Sequence, residues 1–314
     1  MSVNLRKKPV IIDCDPGYDD ALALILALGN DKLNVRAITT CAGNQTGEKI
    51  LKNALNIVNF LEKDITVALG AKKPLMRELE IAPEVHGETG LDGAELPESD
   101  REPNKENAIV LMKKIIMESN EKITIIVTGP LTNIALLLTL YPEIKDKICE
   151  ISLMGGACFG GNVTPSAEYN IKTDPEAAEI VFKSGINITM CGLDVTHKAL
   201  FTKDDFEDIR GIGNKTSELA YRILLSYSKY YEENTELEGI PVHDACAVAY
   251  AIDSSMFETK KCFVTVETKG EYTTGQTVVD YRDLLRKEKN TNVAFDIDKG
   301  TFLNLIKDSI RKLP

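Results

Sequence analysis

Four aspartates, Asp13, Asp15, Asp19 and Asp20, stand within eight residues in the stretch VIIDCDPGYDDALALILAL. Close carboxylates repel, and each resists ionising beside another. A cation removes that penalty, and calcium and magnesium prefer oxygen ligands of this kind. Pro16 and Gly17 make a tight turn able to fold Asp15 back toward Asp19 and Asp20. Acids at a helix start also complement the helix dipole. That accounts for Asp19 and Asp20 but not for four acids. The cluster therefore reads as a metal or catalytic site, with Asp13 supporting the turn.

Such residues need elements to position them. Short apolar runs predict strands over Pro9–Asp13, Val35–Thr40, Thr66–Leu69, Ile123–Thr128, Glu150–Met154 and Ile188–Cys191. Helical patterns lie between them. Ile50, Ala54, Leu55, Val58 and Leu61 recur at helix spacing, and Asp174-Pro175 reads as an N-cap followed by proline at the first helical position. Strand–helix alternation implies an α/β fold, with a mostly parallel sheet covered on both faces. Three stretches read as loops: Arg77–Asn104, which carries His86, the Gly-rich Gly155–Asn170, and Thr235–Pro241 before a helical Val242–Ile252. Beyond Cys262 the pattern is strand-like, then helical near Thr301–Lys312. In an open parallel sheet the ligand site lies beyond the carboxyl ends of the strands. Those ends carry the aspartates, Asn44, Thr128-Gly129-Pro130 and Met154-Gly155-Gly156, which are expected to converge on one pocket.

The chain has 314 residues, 43% of them hydrophobic, enough for a large core, and no linker forces a second domain. One domain over residues 1–314 is expected. The net charge of −11, with no compensating basic cluster, argues against nucleic acid and anionic membrane as partners. Seven scattered cysteines without a CxxC pair argue against a disulfide framework or zinc ribbon. The N-terminal MSVNLRKKPV lacks an apolar signal-peptide core, and the apolar run Ala21–Leu28 is too short to span a bilayer. A soluble cytoplasmic protein is expected.

Carboxylates at the end of a first strand also occur in haloacid dehalogenase-like phosphatases, whose DxD motif forms a phosphoaspartate. The following DPGYDD fits that pattern poorly. DCDPGYDDALAL instead resembles the N-terminal signature of the inosine-uridine-preferring nucleoside hydrolases. The similarity continues through ITTCAGN (Ile38–Asn44), HGETGLDG (His86–Gly93), VTGPLTNIAL (Val127–Leu136), LMGGA (Leu153–Ala157), GNVTPSAEYNIKTDPEAA (Gly161–Ala178) and PVHDACAVAY (Pro241–Tyr250). It runs in order over nearly the whole chain.

The resemblance implies a single α/β domain with a Rossmann-like sheet. It implies calcium-dependent hydrolysis of the N-glycosidic bond of purine or pyrimidine ribonucleosides, releasing ribose and base for salvage. Asp15 matches the general base that touches calcium and activates its bound water. Asp20 and Asp244 match further calcium ligands, and Thr128 supplies a backbone carbonyl. Asp19, Asn162, Glu168 and Asn170 match ribose-binding residues, with Asn44 and Met154 nearby. Amides and carboxylates suit hydroxyls that both donate and accept. His243 matches a histidine near the leaving base, with general acid as its role. His86 matches a second histidine on a mobile loop. A homodimer or homotetramer is implied as well.

The chain has no tryptophan, so the indole stacking of the purine-specific branch is absent. That favours the branch accepting inosine and uridine and leaves pyrimidine-only preference open. Tyr227 and Tyr231, one helical turn apart, suit either a base pocket or an amphipathic helix face. His197 matches no motif position and reads as surface or structural. A non-catalytic nucleoside-binding protein is the remaining alternative. Occupation of every expected polar position argues against it.

Overall fold

The apolar run Val10–Ile12 forms the centre of strand β1 (Lys8–Cys14), buried from Pro9 onward. A continuous apolar run marks a strand covered on both faces. Helix α1 (Tyr18–Gly29) follows, and every residue except Leu28 is buried. A helix apolar all round belongs in the interior. The computed structural model describes residues 7–314. Residues 1–6, which contribute to the segment read as lacking a signal peptide, lie outside the described residues.

The order continues with β2 (Leu33–Thr40), α2 (Gly47–Phe60), β3 (Val67–Leu69), the one-turn α3 (Pro83–His86), α4 (Ala108–Glu118), β4 (Ile123–Val127) and α5 (Thr132–Leu140). Next come β5 (Ile148–Met154), α6 (Tyr169–Thr173), α7 (Pro175–Phe182), β6 (Ile188–Cys191) and the one-turn α8 (Leu193–Thr196). Then follow β7 (Leu200–Phe201), α9 (Lys203–Arg210), α10 (Lys215–Asn234), β8 (Ile240–Pro241) and α11 (His243–Ile252). The chain closes with β9 (Phe257–Val266), β10 (Thr277–Asp280), β11 (Thr291–Ile297) and α12 (Lys299–Ile310).

One nine-stranded sheet has the order β10-β9-β11-β6-β5-β4-β1-β2-β3, and β7 pairs with β8 in a small ribbon. From β3 across to β11 the neighbours are parallel, while β9 and β10 add antiparallel edges. The order β3-β2-β1-β4-β5-β6 is that of a dinucleotide-binding fold, with its reversal between β1 and β4. The expected single α/β domain with a Rossmann-like, mostly parallel sheet is the observed one. Alternate residues of β1 divide the core. Val10 and Ile12 meet the side packed by α1, α2, α10, α11 and α12, whereas Ile11 meets that of α4, α5 and α7. Asp174 caps α7 by accepting from Ala177 N, as its Asp-Pro pair predicts. The tail departs from the expectation. Strand β9 starts at Phe257 rather than near Cys262. Among the described residues no helix is long and apolar enough to cross a membrane.

The carboxyl ends of the central strands are stitched by side chains. Buried Asn133, at the start of α5, donates from Nδ2 to Asp13 Oδ1 at 2.8 Å and to the Thr40 carbonyl at 3.0 Å. Its Oδ1 accepts from Ala71 N at 2.8 Å. Asp13 Oδ1 also accepts from Thr39 Oγ1 at 2.5 Å, and the Asp13 carbonyl accepts from Thr128 N at 2.9 Å. Asn133→Ala leaves two backbone groups and a buried acid short of partners. Stability in urea is expected to fall by about 2 kcal/mol or more; a change under about 0.5 kcal/mol would remove Asn133 as the stitch.

Candidate active site

Asp15 leaves β1 and is fully buried. Its Oδ2 accepts from Asn44 N at 2.8 Å, while Oδ1 has no hydrogen-bond partner. Two glycines make room for this carboxylate. A Cβ on Gly43 would stand 2.1 Å from Asp15 Oδ2, and one on Gly129 would stand 2.5 Å from Oδ1. Asp20 sits in the first turn of α1. It accepts from Thr128 Oγ1 at 2.7 Å, Gly17 N at 3.1 Å, Asn44 Nδ2 at 3.2 Å and Asp15 N at 3.3 Å. Asp244 occupies the first turn of α11, which packs against α1. Oxygens of Asp19, Asp20 and Asp244 lie within 4.8 Å of one another. The Asp15 carboxylate adjoins this triad without belonging to it.

Burial raises all of these acids, and mutual repulsion adds to it. Asp15 and Asp244 rise well above the ordinary carboxylate value, through burial first and then through neighbouring aspartates. Asp19 is pushed up to about 7 by burial and by Asp20. Asp20 is raised by burial against the pull of its donors. The oxygen-only donor set and the unpaired buried Oδ1 atoms of Asp15 and Asp19 fit a hard divalent cation. The Thr128 carbonyl accepts from Asn170 Nδ2 at 2.8 Å and keeps a second lone pair for such an ion.

Above the cluster opens a cavity of about 380 Å³, within the range of small-molecule sites. Asp19, Asn44, Thr128, Met154, Asn162, Glu168, Asn170 and Asp244 line it. Glu168 caps α6, accepting from Gly156 N, Asn170 N and Ile171 N, and burial lifts it to about 6. Asn170 is fixed by the carbonyls of Thr128 and Met154. Asn162 stands at the rim, its Oδ1 accepting from Tyr169 N at 3.0 Å. Asn44 directs its amide onto the Asp15 carbonyl and Asp20, so it supports the acids as well as lining the cavity.

His86, Tyr227, Tyr231 and His243 line the cavity as well, so the Tyr pair faces the pocket instead of forming only a helix face. His86 Nδ1 accepts from Tyr18 N at 3.3 Å, which leaves the proton on Nε2. Burial lowers its pKa to about 3. Tyr227 donates to Asp19 Oδ2 at 3.3 Å, the two tyrosine hydroxyls are 3.3 Å apart, and Tyr231 reaches His243 Nε2 at 2.9 Å. One hydrogen-bonded chain thus joins Asp19 to His243.

Two features were not legible in the sequence. His197 lies on the pocket wall, half-buried, its ring 5.7 Å from that of His243. It follows α8, whose position over the pocket depends on strand order. The glycine clamp on Asp15 likewise appears only when three strand ends meet. Asp13 does not line the cavity. It is fully buried, held by Thr39 and Asn133, and raised by burial to about 7. A phosphoaspartate nucleophile must face the cleft, so the phosphatase alternative has no nucleophile at Asp13.

The family described as inosine-uridine preferring nucleoside hydrolase matches residues 10–304. A Shewanella sp. (strain MR-7) protein named pyrimidine-specific ribonucleoside hydrolase RihA is 51% identical over 96% of this chain and 96% of its own. The Photobacterium profundum protein of the same name is 50% identical over 96% and 98%. The solved structure of a purine-preferring ribonucleoside hydrolase from Gardnerella vaginalis superposes with a TM-score of 0.91 at 35% identity, covering 97% of this chain and 98% of that one. The chain belongs to the inosine-uridine preferring nucleoside hydrolase family. It is a ribonucleoside hydrolase.

A carboxyl whose pKa rises on folding stabilises the native state below its unfolded value, near 3.8 for Asp, and loses that contribution as pH rises through the folded value, about 7 for Asp13 and Asp19. Cation-free protein should therefore lose stability across this window. Added calcium should raise Tm more at about pH 8 than at about pH 5, because the ion competes with protons. An equal Tm gain at both values would separate the acids from cation binding.

Proposed function

We propose that the protein is a calcium-dependent hydrolase of pyrimidine ribonucleosides, releasing ribose and free base for salvage. The observation that carries the reading is the buried carboxylate cluster open to a cavity lined by amides and acids suited to ribose. The half-identical relatives, both named pyrimidine-specific, support the choice of base. Residues 1–314 form one catalytic domain, acting in the cytoplasm as a homodimer or homotetramer.

Asp15, Asp20, Asp244 and the Thr128 carbonyl would hold the ion. When bound, calcium would supply Lewis acidity to an attacking water and anchor the ribose diol. Asp15 Oδ1 is buried without a partner beside the acidic triad, which suits it to be the base that takes the water's proton. Cleavage of the N-glycosidic bond builds positive charge on the sugar. Asp19 and the neighbouring acids stabilise that charge. Asn162, Glu168 and Asn170 orient the ribose hydroxyls, with Asn44 and Met154 closing the sugar end. A single displacement by water inverts the anomeric carbon.

The leaving base accumulates electrons and gains from a proton or hydrogen-bond donor. His243 sits at that end within the Tyr227–Tyr231 chain and supplies the proton as general acid. His86 presents Nε2–H and closes the pocket beside the base.

Ribose release from uridine, cytidine and inosine in calcium buffer tests the reading directly. Uridine and cytidine should lead by about tenfold or more in kcat/KM; no release from any of them sinks it. Asp15→Asn should lower kcat by about 10²–10⁴-fold with an unchanged circular dichroism spectrum. Activity within a few-fold of wild type would exclude Asp15 as the base. His243→Ala should slow a natural nucleoside far more than 4-nitrophenyl riboside, whose leaving group needs no proton. Equal losses would remove the general-acid role.

A further inference from the structure

We propose that Asn53 is a positioning residue for nucleoside binding, its side-chain amide clamping the loop that carries His86 onto the aspartate turn. The inference rests on the reading of His86 beside the base. Asn53 is buried on α2. Its Nδ2 donates to the Pro16 carbonyl at 3.0 Å and to the Thr89 carbonyl at 2.9 Å. Carbonyl oxygens only accept, so the direction of both bonds is fixed and both amide hydrogens are engaged. Pro16 belongs to the turn between Asp15 and Asp19, and Thr89 stands three residues beyond His86. One amide therefore joins the two.

The segment beyond His86 is compact enough to be held at a few points. The Asp92 carboxylate accepts from Glu88 N at 2.9 Å and from Thr89 N at 3.1 Å. Gly90 has a φ of +88° and lies so close to α2 that a Cβ would stand 2.9 Å from Asn53 Nδ2. Gln45, Lys49 and Asn53 recur every four residues and donate to the successive carbonyls of Gly87, Glu88 and Thr89. Of these three side chains, Asn53 is the one that also reaches the aspartate turn.

Tyr18 braces the same segment from the turn itself. Its hydroxyl donates to the Asp92 carbonyl at 2.9 Å, and its N–H donates to His86 Nδ1 at 3.3 Å. Its ring centre lies 5.7 Å from that of His86 and 5.6 Å from that of Tyr227. His86 lines the cavity, whereas Asn53 and Tyr18 do not. The Asn53 amide therefore acts on the nucleoside through the loop. Leucine in its place is similar in shape and removes both donors.

Amide hydrogen exchange reads the clamp, and ligand affinities read its use. In calcium-loaded protein, Asn53→Leu should speed exchange over residues 86–94 by about tenfold or more, with β1 and β4 unchanged. KM for uridine should rise about fivefold or more while kcat stays within about threefold. The inhibition constant of ribose, which carries no base, should stay within about twofold. Asn53→Ala, which adds no bulk, should give the same pattern and keeps the test open if leucine does not fit. Tyr18→Phe removes a single bond to the loop and should shift exchange and KM in the same direction by a smaller factor. The Asn53→Leu/His86→Ala double variant should bind uridine no more weakly than His86→Ala alone. Unchanged exchange over residues 86–94, a loss for ribose equal to that for uridine, or a further loss in the double variant overturns the inference. An unchanged KM in His86→Ala alone would instead overturn the reading of His86 beside the base, while the exchange rates still decide whether Asn53 clamps the loop.

Discussion

The repulsion among buried carboxylates is the constraint around which the pocket is arranged. Oxygens of Asp19, Asp20 and Asp244 come within 4.8 Å of one another, with Asp15 adjoining. At that spacing two unit charges repel by about 3–4 kcal/mol with an effective dielectric near 20. Both α1 and α11 start at the cluster, so two helix N-termini face it, but each contributes at most about 2 kcal/mol. Backbone and side-chain donors to Asp20 and Asp15 offset more. Three or four ionised acids still exceed what these partners offset. The remaining solutions are protons or a cation, and the oxygen-only geometry allows either.

The sequence shows this constraint because strand ends and helix starts are adjacent in the chain. Asp13 to Asp20 lie on one β1–α1 connection, and apolar periodicity identifies both flanking elements. The first six strands were legible for the same reason: each is an apolar run bounded by polar punctuation. Contacts between distant connections are different. Gly43 and Gly129 clamp Asp15 only because β2 and β4 flank β1. Nothing in ITTCAGN or VTGPLT specifies that neighbourhood without the strand order. The places of His197 and Thr196 are hidden for a related reason. They follow β6, which is separated from β1 by β4 and β5, and reach the pocket because α11 brings His243 back over the sheet. The antiparallel edge β9–β10 was blurred by its polar positions, since an edge strand covered on one side lacks the continuous apolar run.

The cavity lining is built from different material. The β1–α1 connection supplies Asp15, Asp19 and Asp20, the ends of β2, β4 and β5 lead into Asn44, Thr128 and Met154, and the first turn of α11 supplies Asp244. The lining histidines and tyrosines His86, Tyr227, Tyr231 and His243 come from α3 in a long loop, the last turns of α10, and the start of α11. A site that holds an invariant ribose needs the rigid framework. Different bases need a wall that sequence change can alter without disturbing the sheet. That division suits a family whose members are named for purine and for pyrimidine nucleosides on one fold.

The hydrogen-bonded chain from Asp19 through Tyr227, Tyr231 and His243 to Thr196 means that the groups along it are not independent. Asp19 sets the direction in which both tyrosine protons point. A substitution at either tyrosine therefore acts on the buried acids as well. Tyr231→Phe breaks the chain and frees Tyr227 from its donor, whereas Tyr227→Phe leaves Asp19 Oδ2 without a partner in a buried, already crowded cluster. The second change is the costlier one, because an unpaired buried carboxylate loses more than a neutral hydroxyl does. Base recognition in this pocket can vary only through changes that keep Asp19 supplied with a donor.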